Sequence, residues 1–393
     1  MNKLTLQDVG VKGKRVLMRV DYNVPIDDKG TILDDIRIKA SLPSIKYILD
    51  NGGKVVLMSH LGRPEGQKDD KLKMEPIAAR LEKLLGRPVK QLPDCIGSEV
   101  EKAVSKLKDG ECVLLENLRF YPGEEANDDD FSRKLAYLGN VYVNDAFSVS
   151  HRSHASVVGV TRYLRGIAGL QMKKEIEYLS RLLKDPEQPF WAVFGGAKVS
   201  DKITIIQNLF AAVKGMIVGG AMAYTFMRAK GLATGNSKVE ADKVELAKTI
   251  LAQAEAQKIE IVLPVDHLVA DKVEAKARIR IEAGEIPEGW AGVDIGPKSI
   301  QLFAEKLSKA KTVIWNGPMG IFEIDKFAAG TQRVAQTLAN LKATTVIGGG
   351  ETAAAASKFG LTEKMTHVST GGGASLEFLE GKELPGVQVL ANR

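Results

Sequence analysis

From Arg15 to Val368 the sequence repeats a single alternation: a short apolar, often β-branched run, then a longer stretch with apolar residues at helical spacing. The short runs are Arg15–Val20, Lys54–Met58, Cys112–Leu115, Val141–Val143, Phe190–Phe194, Gly215–Val218, Glu260–Leu263, Lys311–Trp315, Thr344–Ile347 and Met365–Val368. Between them, Ile36–Asp50, Met74–Leu85, Glu99–Leu107, Asp130–Leu138, Asp201–Val213, Ala241–Gln257, Pro297–Ser308 and Lys326–Leu341 read as amphipathic helices. Strands without polar alternation are buried on both faces, and strands that alternate with helices form parallel sheets. The expected class is α/β.

A chain of 393 residues is too long for one core, so the alternation divides in two. The stretch 161–189 runs between the halves. It holds one helical segment, Gln171–Lys184, closed by Asp185-Pro186, and a Pro-terminated helix suits a connector and hinge. The expectation is two Rossmann-like, doubly wound parallel-sheet domains, 1–170 and 186–375, joined by a hinge helix over 171–185. With 26% charged and 44% apolar residues, neither disorder nor a fibre is in question. Lys and Arg exceed Asp and Glu by 55 − 49 = 6, but the charges are scattered. A small anionic ligand therefore explains the balance without a nucleic-acid or membrane partner. The two cysteines, Cys95 and Cys112, lie in no metal-binding spacing. The N-terminal stretch lacks a signal-peptide core, and no apolar run reaches membrane-spanning length. A cytoplasmic protein is expected.

Ligands bind open α/β sheets beyond the carboxyl ends of the strands, and the halves differ there. The first half places Asp21, Asn23, His60, Arg63, Arg119, Asp145, His151 and Arg152 after its strands; the second places Gly195-Gly196-Ala197-Lys198, Gly219-Gly220-Ala221, Asn316-Gly317-Pro318, Gly348-Gly349-Gly350 and Gly371-Gly372-Gly373. Charged side chains select a compact anion, whereas bare glycines bring backbone N–H groups close to phosphates. One sheet is thus expected to take a small acid and the other a nucleotide. Taken singly the segments are ambiguous. Asp21-Tyr22-Asn23-Val24-Pro25 reads as an Asx turn or as a polar grip on a substrate. Arg37, after Asp34-Asp35, reads as an exposed helix face with local ion pairs or as an anion contact. Together, Arg37, His60, Arg63, Arg119 and Arg152 form five cations that would repel one another unless an anion sat among them.

In the second half no Gly-x-x-x-x-Gly-Lys-Ser/Thr occurs, which removes the P-loop reading. Gly348–Ala353 fits the dinucleotide fingerprint, but the next strand ends in Ser369-Thr370-Gly371 without the ribose-binding acid. A nicotinamide-dependent dehydrogenase stands as the alternative, and a non-catalytic anion binder as a third reading. In Gly195–Lys202, Ser200 or Asp201 is expected to cap a helix carrying Lys198 and Lys202 on one face.

In combination these segments resemble the phosphoglycerate kinase family, of the bacterial type, over essentially the whole chain. The resemblance rests on Arg19–Pro25, Ser59–Pro64, Glu116–Phe120, Asn144–Phe147 with His151-Arg152, Gly195–Val199 with Asp201-Lys202, Asp294–Pro297, Trp315–Gly320, Gly348–Glu351 and Ser369–Gly373, in that order. It implies reversible phosphoryl transfer between 1,3-bisphosphoglycerate and ADP, yielding 3-phosphoglycerate and ATP with Mg²⁺, by a monomer whose C-terminal tail, 376–393, returns to the first domain. It implies that Asp21, Asn23, Arg37, His60, Leu61, Gly62, Arg63, Arg119, His151 and Arg152 hold the phosphoglycerate. Gly196, Lys198, Lys202, Gly220, Gly292, Asn316, Pro318, Glu323, Gly349, Gly350, Glu351 and Thr352 would hold the nucleotide. Glu351 stands where the family usually has Asp, so its contact with the metal is direct or through water. An acyl phosphate needs no general base, so Arg37, Lys198, Lys202 and the N–H groups of Gly371, Gly372 and Gly373 are expected to neutralise the travelling phosphoryl group, after domain closure.

Overall fold

Two six-stranded parallel sheets organise the chain, and the computed structural model describes residues 2–393. The first sheet takes β1 (Arg15–Arg19), β2 (Lys54–Met58), β3 (Val89–Gln91), β4 (Cys112–Leu114), β5 (Val141–Asn144) and β6 (Gly166–Ala168), in the order β3-β4-β2-β1-β5-β6. The second takes β7 (Phe190–Phe194), β8 (Gly215–Val218), β9 (Glu260–Val262), β13 (Thr312–Asn316), β14 (Thr344–Ile347) and β15 (His367–Val368), in the order β15-β14-β13-β7-β8-β9. The inner strands β1, β2, β7 and β13 are buried almost throughout, as strands covered by helices on both faces must be. Each apolar helix stripe closes one face. Ile38, Ile45, Ile48 and Leu49 of the helix Ile36–Asp50 are all buried within the core that also takes β1 and β2.

Between β9 and β13 the parallel expectation fails. There β10 (Asp266–Ala270), β11 (Ile279–Ala283) and β12 (Ala291–Ile295) form a separate antiparallel sheet, β11-β10-β12, with a register shift between Leu268 and Val269. The segment Ala277–Ala283 alternates Arg with Ile, and β11 is an exposed edge, with Ile279 and Ile281 40% and 48% exposed.

The chain forms two units, 1–177 with 382–393 and 178–381. A single helix, Leu170–Lys184, carries the chain from one to the other. Within the first unit Asp145 caps its start, with Oδ1 accepting from Gln171 N at 2.8 Å and Met172 N at 3.1 Å. Within the second, Tyr178 stacks on His367 with ring centroids 4.8 Å apart. The return to the first unit comes at Lys382, later than residue 376. Leu376–Gly381 stay with the second unit because Phe378 and Leu379 are buried and Asn208 Nδ2 donates to Leu379 O at 2.8 Å. From there the tail is stitched to the N-terminal strand region: Leu4 N donates to Ala391 O, Lys3 Nζ to Leu390 O, and Arg393 N to Asn2 O, at 2.8, 2.8 and 2.9 Å. Among the described residues no helix is long and apolar enough to cross a membrane. Cys95 and Cys112 are buried thiols.

Candidate functional site

In the first unit the charged residues after β1, β2, β4 and β5 converge, as strand ends of one parallel sheet should. Asp21 makes the Asx turn, accepting from Asn23 N at 3.0 Å through Oδ1. Its other oxygen accepts from Arg37 Nη1 at 2.7 Å and from Ser148 Oγ. The turn and the ligand-facing arrangement therefore coexist. Arg37 ignores the neighbouring Asp34 and Asp35; Asp35 pairs instead with Lys39 and Arg80. Asn23 Oδ1 accepts from Gly62 N at 2.9 Å, and Gly62 O accepts from Arg119 Nη1 at 2.8 Å. One connected run thus links Arg37, Asp21, Asn23, Gly62 and Arg119. Leu61 is fixed beside it by Asn117, whose side chain bonds both its N–H and its carbonyl.

Beneath this run lies Arg19, fully buried, which the sequence reading passed over as a strand residue. Its Nε donates to Ser156 Oγ at 2.8 Å, and Ser156 in turn donates to the buried Glu124 at 2.6 Å. Its Nη2 meets His60 Nδ1 at 3.1 Å. A guanidinium only donates, so Nδ1 accepts and the imidazole proton sits on Nε2. Burial first, then the charges of Arg19, Arg119 and Arg152, hold the His60 pKa well below the usual histidine range. The same causes lower His154 to about 4. His60 is therefore a neutral donor, which corrects its count as a fifth cation. The expected mutual repulsion is also partly answered from within: Arg37 has Asp21, and Arg119 Nε lies 3.0 Å from Glu125. Burial, the leading cause, lowers the Arg119 pKa from its ordinary value. Arg63, exposed, and Arg152, whose Nε donates to His151 Nε2 at 3.2 Å, carry no ion pair among the described residues. Those two supply unanswered charge.

In the second unit a cleft of about 390 Å³ is lined by Gly196, Gly220, Gly292, Pro318, Glu323 and Glu351 of the expected set. Tyr224, Asn236 and Lys238 also line it, and no local signal marked them. Lys198, Lys202, Asn316, Gly349, Gly350 and Thr352 lie outside this lining. Lys202 Nζ donates to Asn316 Oδ1, Asn316 Nδ2 donates to Gly348 O at 2.7 Å, and Thr352 Oγ1 accepts from Gly317 N at 2.7 Å. Burial lowers the Lys202 pKa, against the smaller opposing charges of Asp201 and Glu351. The helix after β7 starts only at Ile203, with Lys202 at its N-cap position and no side-chain cap. Lys198 therefore sits in the preceding loop and not on a shared helical face. Ser200 turns away from the capping role to donate to Glu240 Oε1 at 2.7 Å.

The glycines also act differently from expectation. Gly196 N donates to Pro318 O at 2.8 Å, Gly219 N to Phe194 O at 2.7 Å, Gly220 N to Met319 O at 3.1 Å, and Gly348 N to Trp315 O at 3.0 Å. Gly371 N donates to Ser369 Oγ at 3.2 Å. These N–H groups are spent within the protein. What the residues provide is close approach: a Cβ on Gly195 would lie 2.1 Å from Pro318 O, and one on Gly317 2.2 Å from Gly195 O. Gly349 and Gly372 turn the chain into the helices Gly350–Lys358 and Gly373–Leu379 with φ of +91° and +53°.

Among the described residues no cluster of three or more His, Cys, Asp or Glu could hold a metal ion. Of the two carboxylates that line the cleft, Glu323 and Glu351, the expected ligand Glu351 fits Mg²⁺ in the way that ion is commonly held, by one or two carboxylates with substrate phosphates and water.

Comparison with known proteins places the chain in a family. A family model described as phosphoglycerate kinase matches residues 6–382. The phosphoglycerate kinase of Fervidobacterium nodosum is 54% identical, covering 100% of this chain and 99% of its own. That of Pelotomaculum thermopropionicum is 52% identical, covering 100% of both. The solved structure of phosphoglycerate kinase from Coxiella burnetii superposes with a TM-score of 0.88 at 37% identity, covering 98% of each chain. The chain belongs to the phosphoglycerate kinase family.

Proposed function

We propose that the protein catalyses reversible, Mg²⁺-dependent phosphoryl transfer from 1,3-bisphosphoglycerate to ADP, giving 3-phosphoglycerate and ATP, as a cytoplasmic monomer. Family membership supports the glycolytic transfer itself. The observation that carries the residue-level reading is the linked run Arg37–Asp21–Asn23–Gly62–Arg119, with Arg63 and Arg152 unanswered. It offers a phosphorylated acid both fixed hydrogen-bond partners and free positive charge. His60 adds a neutral Nε2–H donor, and Leu61 and His151 border the same group. On this reading the cleft around Gly196, Gly220, Gly292, Pro318 and Glu323 takes the nucleotide, with Asn316, Gly349, Gly350 and Thr352 shaping its approach.

The leaving group is an ionised carboxylate and the attacking ADP oxygen is already anionic, so no general base is required. Catalysis then reduces to alignment and charge neutralisation by Arg37, Lys198 and Lys202, with Gly372 and Gly373 as the backbone donors of the turn, the N–H of Gly371 being engaged by Ser369 Oγ. Lys202, held by Asn316, is pre-positioned for that role. Mg²⁺, held by Glu351 directly or through water, would offset negative charge on the phosphates when bound. Because acid and nucleotide occupy different units, transfer requires a closing movement about the connecting helix, which also excludes water. The test is ATP formation from ADP and 1,3-bisphosphoglycerate with and without Mg²⁺; absence of ATP with the metal present refutes the reading. No specific observation favours the dehydrogenase.

A further inference from the structure

Glu240 belongs to none of the expected site residues, yet three parts of the second unit meet on its carboxylate and backbone. Oε2 accepts from Val199 N and, at 3.2 Å, from Ser200 N, while Oε1 accepts from Ser200 Oγ at 2.7 Å. Its own N–H donates to Thr225 Oγ1 at 3.1 Å. The loop it grips begins at Gly195 and ends at Lys202, and it holds Gly196, which lines the cleft, together with Lys198 and Lys202. Thr225 lies in the helix Met222–Ala229 beside Tyr224, another cleft residue, and Asn236 and Lys238 line the cleft just ahead of Glu240 in sequence.

We infer that Glu240 is a positioning residue for the phosphoryl-transfer site: its carboxylate fixes the lysine-bearing loop against the wall of the nucleotide cleft. The physical reason is that the loop is tied at its two ends, Gly196 to Pro318 O and Lys202 to Asn316, while between them Glu240 supplies the hydrogen bonds from outside the loop. Residues 195–202 lie in neither helix nor strand. Lys198 is exposed and makes no hydrogen bond or ion pair among the described residues. The bonds to Val199 and Ser200 hold the chain immediately after the point from which the Lys198 side chain leaves. A loop held there presents its charge without paying ordering entropy when the nucleotide arrives. Glu240 touches no reacting atom and acts through the loop. The inference rests on the functional reading above for the identity of the ligand.

The experiment compares the parent with Glu240→Ala, Glu240→Gln and Ser200→Ala by calorimetric titration of Mg·ADP, steady-state kinetics and amide hydrogen exchange. Glu240→Ala should raise the ADP Kd and KM by about tenfold or more, the scale of lost hydrogen bonds to a charged acceptor. It should leave the KM for the phosphoglycerate substrate within about twofold, because the two ligands occupy separate units. Exchange at Val199 and Ser200 should accelerate while amides of β7 and β13 keep their protection. Glu240→Gln should retain most of the affinity, since its carbonyl can still accept from the two N–H groups and its amide can donate to Ser200 Oγ. Ser200→Ala, which removes one bond without burying an orphan, should cost about threefold. Unchanged ADP affinity in both Glu240→Ala and Ser200→Ala overturns the inference, as does an equal loss for both substrates. If the parent itself binds no ADP, the functional reading fails instead.

Discussion

On the proposed function, the two candidate sites solve one problem, holding an anion at the ends of parallel strands, with opposite materials. In the first unit the work is done by side chains: Arg37 leans on Asp21, Arg119 on Glu125, and Arg19 on Glu124 through Ser156. In the second it is done by backbone brought to within contact distance of backbone, Gly195 against Gly317 and Pro318. A charged site can lose one member and keep its shape, because removing a side chain leaves the strands in place. A backbone site cannot accept even one carbon where its turns touch, as at Gly195 and Gly317. The first should therefore fail by weakened binding and chemistry, the second by loss of fold.

The largest effect follows from that contrast. Gly195→Ala would set its Cβ 2.1 Å from Pro318 O and 2.6 Å from Gly317 O. No side-chain rotation relieves such a clash, so destabilisation of about 4 kcal/mol or more is expected, read by urea denaturation. Gly350→Ala, with nothing within 4 Å, should stay within about 1 kcal/mol and sharpens the comparison as its control. If Gly195→Ala unfolds at the parent midpoint, the backbone reading is wrong. Next in size, Arg37→Ala should lower kcat by about 10²–10³ while the urea midpoint holds; near-normal turnover would remove Arg37 from the catalytic set.

A third effect concerns Asp145, whose carboxyl burial pushes up from 3.8 to about 6. Between those values the folded protein binds a proton that the unfolded chain has released. Stability therefore falls as pH rises from about 4 to about 6, by up to ~3 kcal/mol at 1.36 kcal/mol per unit. Asp145→Asn should flatten that part of the stability profile while still capping Gln171 and Met172; an unchanged slope in chemical denaturation from about pH 4 to 7 would show the carboxyl is not responsible. The smallest effect is at His60. Because it is neutral, its ¹⁵N ring shifts should report the Nε2–H tautomer and stay flat between about pH 6 and 8. His60→Gln should raise the phosphoglycerate KM only about fivefold, one neutral hydrogen bond. Titration of His60 inside that window would restore it to the list of cations.

How much of this was legible in the residues depended on the length scale of the signal. The inner parallel strands were, because burial on both faces writes itself as unbroken apolar runs such as Phe190–Phe194, whereas the short strands Val89–Gln91 and Gly166–Ala168 were missed. The antiparallel sheet was missed, although Arg278-Ile279-Arg280-Ile281 carries a period-two strand pattern, here on an edge strand exposed on both faces. The strand-end cations could be named one by one, but not who answers them. That Arg37 chooses Asp21 over the adjacent Asp34 and Asp35 depends on how β1 and the helix Ile36–Asp50 pack. Arg19 was hidden for a similar reason, since a cation at the end of an apolar strand looks like its boundary. The glycines showed where the backbone comes close, but not whether ligand or protein takes the N–H. Asn236 and Lys238 reach the cleft, and Glu240 the loop beside it, from a segment distant in sequence from the glycine turns, and Tyr224 reaches it from the helix after Gly220, where no short motif can announce them.

The stitching of Leu4, Lys3 and Asn2 to Ala391, Leu390 and Arg393 makes the second unit, in chain order, an insertion within the first. In synthesis, residues 178–381 have all been joined before the segment 382–393 that completes the other unit. The half that begins first must wait, with β6 lacking its bridge from Leu390, while the half that begins later can finish ahead of it. Vectorial synthesis and completion of the tertiary structure thus run in opposite directions along this chain.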